Sequence, residues 1–192
     1  GIRSFRAADM RFNDKYILVF MLMARTNKDQ VLTMQKDSLL KFNKNIANKY
    51  KAGIGLKYLD DFINSHVLEN TITSFLTQNT LKETTTKDFE IFLKSKTNKN
   101  IDWFFTDYLT TRKKIDFKIK NVIKTDDSIT LTIKNKRDNS MPISLYTLNN
   151  DSIISKTWIE NIKETKTLTI PRNNADKLVL NYNEVIPEVN LR

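Results

Sequence analysis

The chain has 192 residues, with 32 Lys plus Arg against 22 Asp plus Glu, one His, no Cys and three Gly. Without Cys there is no disulfide framework, thiolate zinc site or cysteine nucleophile. A lone histidine, His66, excludes HExxH and any two-histidine metal face, and Gly1, Gly53 and Gly55 cannot build a P-loop or a dinucleotide fingerprint.

An apolar fraction of 40% beside 28% charged residues suits a folded chain of one or two domains. The most apolar run, Tyr16 to Ala24, is nine residues long. A membrane span needs about 20, so this run reads as a buried helix, and it lacks a signal-peptide cleavage pattern. The sequence opens with Gly and not Met, which reads as a processed piece whose true beginning lies elsewhere. The net charge of +10 invites a nucleic-acid surface. Its distribution argues against one: 24 of the basic residues are Lys, spread end to end among 21 Asn, and the longest basic run is Arg112-Lys113-Lys114. No nucleic-acid partner is expected.

Helical spacing dominates the first part of the chain. Ala8 to Arg25 is predicted as an apolar helix. Asp37 is the expected N-cap of a helix over Ser38 to Asn48, with Leu39, Leu40, Phe42 and Ile46 inward. From Tyr50 to Ser65, Ile54, Tyr58, Phe62 and Leu56, Leu59, Ile63 recur at three- and four-residue steps. Leu68 to Gln78 follows, with Ile72, Phe75 and Leu76 inward. Thr86-Lys-Asp-Phe89 opens a helix with acidic residues at its positive end, and Ile101 to Thr110 reads as a short aromatic helix.

Near residue 114 the period changes to two. Strands are expected at Phe117–Ile119, Ile129–Ile133, Ile143–Leu148, Ile153–Ile159, Thr165–Ile170 and Lys177–Tyr182, with turns at 125–128, 149–151 and 172–175. The predicted class is α+β: a multi-helix layer over residues 1–114, then a small antiparallel β-sandwich over 115–192.

Few residues offer chemistry. Ser65 and His66 are adjacent, so they point to different sides of a helix and cannot form a relay with Asp60 or Asp61. His66 reads as a solvent-facing residue, Asp60-Asp61 and Asp126-Asp127 as surface carboxylates, and Trp103-Phe104-Phe105-Tyr108 as a packing knot between the two layers.

Four segments, in order, carry a resemblance. Tyr50-Lys-Ala-Gly53 resembles the tyrosine-x-lysine-glycine helix start of the aminopeptidase N family of zinc metallopeptidases, the gluzincins. Thr84 to Phe89 resembles that family's "T-T-x-D-F" helix, and Asn100 to Leu109 its "D-L-D-W-F-F-x-Q-W-L" segment. Val185 to Asn190 resembles the "L-P-D-V-N" ending of a bacterial branch.

The resemblance implies the C-terminal half of a thermolysin-like catalytic domain and the β-domain after it, without the HExxH-bearing part. It implies a hydrolase of peptide bonds whose zinc and general base belong to the full-length protein. No metal ligand and no cofactor is expected in this chain. Its implied partners are the missing N-terminal part of the same polypeptide and a peptide substrate, and its implied location is extracytoplasmic or membrane-associated.

One catalytic position carries over: the family's tyrosine donates to the oxyanion formed at the peptide carbonyl, and Tyr50 aligns with it. Ala52 stands where the family has lysine. That departure keeps two alternatives open, a structural Tyr50 and a non-enzymatic scaffold derived from a degenerate peptidase.

Overall fold

The computed structural model describes residues 12–190. The first helix, α1 (Phe12–Arg25), buries Phe20, Met21 and Ala24 and turns Leu18 and Leu22 to solvent. Its last turn is tied to the far end of the chain, where the Arg25 guanidinium donates to the Val189 carbonyl at 2.7 Å.

The next helical stretch differs from expectation. Lys36–Ser38 is a 3₁₀ turn with no side-chain cap, and Asp37 instead pairs with Lys44 at 3.4 Å. Residues 41–63 then run as one helix, with a π turn over Asn43–Ala47 leading into α2 (Asn48–Ile63). Leu40, Phe42 and Ile46 lie outside, while Asn43 and Ala47 are buried. The cause is polar. The Asn43 amide donates to the Lys28 carbonyl at 2.8 Å and to the Gln30 side chain at 2.7 Å, which anchors that face inward. The extra residue of a π turn also shifts the phase of the helical turns after it.

Within α2, Ile54, Tyr58, Leu59, Phe62 and Ile63 are buried as the spacing predicts, and Leu56 is exposed. Asn64, at φ 103, ends the helix in a conformation L-residues rarely take. Then α3 (Ser65–Gln78) buries Leu68 and Phe75 but exposes Leu76. A capping box opens α4 (Thr86–Lys94): the Thr85 hydroxyl accepts from Asp88 N–H, and the Asp88 carboxylate accepts from Thr85 N–H at 2.8 Å. A last helical turn, Phe104–Tyr108, carries the aromatic cluster, of which Trp103, Phe104, Phe105 and Tyr108 are all buried. No helix among the described residues is long and apolar enough to cross a membrane.

Six antiparallel strands follow: β1 (Phe117–Lys124), β2 (Ser128–Asn135), β3 (Ile143–Asn149), β4 (Ser152–Ile159), β5 (Thr165–Pro171) and β6 (Lys177–Leu180). They form two three-stranded sheets, ordered β1-β2-β5 and β4-β3-β6. Along β2 the period is clean: Ile129, Leu131 and Ile133 are buried, while Thr130 and Thr132 bond across to Thr169 and Thr167 at 2.9 Å. The β3–β4 turn has positive φ at Asn150 and Asp151, the pair of left-handed residues that a tight hairpin requires.

The helices and the sheets share one core. Tyr58, Phe62, Trp103 and Phe104 belong to the same buried cluster as Leu131, Ile133, Ile143 and Leu145. The Tyr58 hydroxyl, wholly buried, donates to the Pro142 carbonyl, and its ring lies 4.4 Å from Trp103 and 6.0 Å from Trp158. Asp107 adds a polar clamp, accepting from Ser140 N–H and Oγ at 2.8 Å each and from Lys113 at 3.0 Å.

Candidate functional site

The face of α2 that looks away from the core is open. Lys51, Gly55, Tyr58 and Phe62 point inward, so Tyr50, Gly53 and Lys57 fall on another side of the helix. These three line a cavity of about 340 Å³ with Tyr16 and Ile17 of α1, Ile54, and Glu184 and Val185 from the segment after β6. A Cβ at Gly53 would meet nothing within 4 Å, because that side faces the cavity.

The Tyr50 ring is held edge-on to Tyr16, centroids 4.4 Å apart and planes at 88°. Its hydroxyl has no hydrogen-bond partner among the described residues, which is unusual for a half-buried phenol. Lys49 and Lys57 stand at the same cavity and make no ion pair among the described residues. The arrangement sets the Tyr50 hydroxyl beside two cations, opposed by the single carboxylate of Glu184. Chemically it suits a group that is anionic or becomes so.

A second groove, of about 620 Å³, lies further along α2 and shares Lys57 and Val185 with the first. Asp61 is committed there, both oxygens 2.6 Å from the Lys156 ammonium. Burial pushes Asp60 up from its ordinary carboxylate value, and the nearby charges of Asp61 and Glu69 push the same way, while His66 opposes them. His66 is exposed, and no hydrogen bond joins it to Asp60 or Asp61.

One residue behind the cavity was not singled out from the sequence. Lys51 is 5% exposed, and its ammonium reaches the Gln30 carbonyl at 3.3 Å and the Thr111 carbonyl at 3.5 Å. Burial lowers its pKa to about 8; Asp29 resists that shift, and Lys114 and Arg112 reinforce it. Asp29 is itself buried, paired with Lys114 and with Arg112 at 3.5 Å. The signal was present in the spacing, since Lys51 lies three residues before Ile54 and seven before Tyr58, on the buried stripe.

A zinc ion does not fit these residues. The sequence has one imidazole and no thiol, and among the described residues no three His, Cys, Asp or Glu side chains converge. No chemical step is therefore assigned to a metal held by this chain.

No family model matches the sequence, and no characterised protein matches it at a significant level. The arrangement of helices with two paired three-stranded sheets is an α+β fold. The crystal structure of Legionella pneumophila aminopeptidase A in complex with aspartic acid matches with a TM-score of 0.56 and 16% identity, over 74% of this chain. This chain covers 17% of that chain's length. A β-glucosidase from Kluyveromyces marxianus aligns over 31% of this chain and 9% of its own, at 22% identity, but its TM-score of 0.21 carries no argument.

Proposed function

We propose that this chain is the C-terminal part of a zinc aminopeptidase-like hydrolase, non-catalytic by itself, whose metal and general base are supplied by another part of the parent polypeptide. That part and a peptide substrate are its partners, and the resemblance favours a parent outside the cytoplasm or at a membrane. Tyr50 is the oxyanion donor of the assembled site.

The observation that carries this reading is the Tyr50 hydroxyl at the wall of the α2 cavity, with no hydrogen-bond partner among the described residues. A phenol fixed in position with its O–H unspent is suited to developing negative charge, because no bond must be broken when the charge appears. The fold similarity to part of an aminopeptidase supports it.

A second reading rests on Ala52, which replaces the lysine of the resembled motif. It makes the chain a non-enzymatic scaffold or interaction module from a degenerate peptidase. Tyr50→Phe in the full-length protein, assayed on aminoacyl and peptide substrates, separates the two. Loss of an oxyanion donor lowers kcat by about 10²–10³-fold with little change in KM. An inactive wild type, or a variant at full rate, gives the scaffold reading the lead.

A further inference from the structure

Each sheet of the sandwich is three strands wide, so β1 and β6 are both terminal strands with one row of unpaired N–H and C=O groups. Residues of both line a groove of about 770 Å³. At the start of β1, Glu188 bridges Ile115 in parallel and its carboxylate accepts from Phe117 N–H at 2.9 Å. At the end of the strand, the Lys124 ammonium donates to the Asp176 carbonyl at 2.8 Å. Between them the outer edge of β1 pairs with no strand among the described residues.

The inner side of this edge is only partly covered: Ile119, Leu178 and Leu180 pack against the core without being buried by it. The register against β2 sets Ile119 opposite Ile133 and Val122 opposite Leu131, whose side chains are core. Yet Ile119 is only half-buried and Val122 is 40% exposed, and across the groove Leu178 and Leu180 are half-buried too. Inward side chains of an additional strand would remove that surface from water.

The outer side is cationic. Lys118 sits directly opposite Lys134, a like-charge pair that costs stability in a sheet, and Lys120 is the extra residue of the bulge between Ile119 and Asn121. None of the three has an ion-pair partner among the described residues. The groove's own acids do not answer them: Glu188 is bonded to Phe117 N–H, and Glu184 comes from the segment after β6.

We propose that this groove docks an extended peptide of alternating apolar and acidic residues, added as a strand to the free edge of β1. Its apolar side chains fill the space between Ile119, Leu178 and Leu180 and run on along the edge towards Val122, and its carboxylates stand beside Lys118 in the groove and Lys120 next along the strand. Backbone bonds to β1 supply affinity, and the two alternating faces supply selectivity. Six residues span about 20 Å at about 3.3 Å each, the reach of the unpaired edge. This inference is independent of the peptidase reading.

The test titrates the whole chain with three hexapeptides: alternating Val–Glu, alternating Val–Lys, and the Val–Glu peptide with Pro at a central Val. The Val–Glu peptide should bind about tenfold or more tighter than Val–Lys, weaken with salt, and slow amide exchange within 118–124. The Pro peptide, lacking a ladder donor, should not bind. Lys118→Glu leaves the apolar groove intact and should reverse the preference between the two charged peptides. Equal binding of both, no binding up to about 1 mM, protection elsewhere, or an unchanged order in Lys118→Glu overturns the proposal. Light scattering of the free chain covers the other occupant: a dimer that protects 118–124 assigns the groove to a second copy and overturns the peptide assignment.

Discussion

The ring of Tyr108 fills the space that a side chain on Gly55 would need. A Cβ at 55 would stand 2.1 Å from Tyr108 Cε1, and the same tyrosine donates its hydroxyl to the Lys51 carbonyl at 2.7 Å. The last aromatic turn thus docks directly on the backbone of α2, one turn from the residues that line the cavity. Glycine is required there for close approach, at a position where its helical backbone needs no special φ.

Gly55→Ala and Gly53→Ala should therefore act in opposite directions. In a helix interior, Gly to Ala contributes about 0.5–1 kcal/mol. Gly53→Ala faces open space and should keep that gain. At Gly55 the added methyl forces a buried ring to move, and overpacking of this kind costs about 1–3 kcal/mol. Urea unfolding of both variants checks this; equal effects would mean that Tyr108 shifts freely.

Trp103→Ala should cost about 3–5 kcal/mol, the range for truncating a buried aromatic. Trp103 is 4% exposed and packs on Tyr58, Phe62 and Phe104. Its indole N–H has no hydrogen-bond partner among the described residues. Trp103→Phe should accordingly cost less than about 2 kcal/mol, since only area is lost and no hydrogen bond. A loss below about 1 kcal/mol for the alanine variant would remove Trp103 as the joint between the layers.

Lys51 predicts an alkaline gain in stability. Its folded pKa is about 8, against about 10.4 for an unfolded lysine. Below pH 8 both states carry the proton, so its contribution is flat. Between about 8 and 10.4 the unfolded chain holds the proton and the folded chain does not, so stability rises with pH. The rise is of order 3 kcal/mol. Lys51→Met should be unfolded by urea at pH 7 and pH 9.5 beside the wild type. The wild type should gain on the variant as pH rises, and a constant difference would mean that Lys51 is not desolvated.

Asp107 works on the acid side. Burial alone would push its carboxyl up, but Ser140 N–H, Ser140 Oγ and Lys113 hold it below the ordinary carboxylate range. Its contribution is present above that range and lost as pH falls through the folded value. Asp107→Asn should be less stable than wild type at neutral pH, and the gap should narrow in acid. A gap independent of pH would assign the loss to shape alone.

Tyr50→Phe should leave the stability of this chain unchanged within about 0.5 kcal/mol, because its hydroxyl has no partner to lose among the described residues. Thermal unfolding of the chain measures this apart from activity. A cost near 1 kcal/mol or more would show the hydroxyl spent on structure and would count against an oxyanion role.

Unlike β3, which is buried on both faces, β2 has one face on the core and one outside, so period-two alternation was most readable there. Ile129, Leu131 and Ile133 announce that directly, with threonines between them. The helix start at Thr86 and the acidic first turn were likewise visible, since capping acts within one turn, although the capping hydroxyl is that of Thr85. Around residue 40 the same logic misplaced Leu40, Phe42 and Ile46. Helix phase there is decided by the Gln30–Asn43 contact and a π turn, and apolar spacing carries no trace of either. Only a motif pointed to Tyr50, and periodicity could not tell an open face of α2 from a buried one.

Local residue order, then, decided which stretches are helical and which extended, because propensity, caps and turn chemistry act over a few neighbouring residues. It also decided that this chain holds no imidazole–thiol donor set. Tertiary structure decided the rest: which face of α2 is covered, that Lys51 and Asp29 lie buried behind the cavity, and that β1 and β6 face each other with their edges free. Those outcomes depend on contacts between residues tens of positions apart, such as Lys51 with Thr111 and Arg25 with Val189. Such contacts form only where packing gains exceed the entropy of closing the intervening loops, and no local pattern encodes that balance.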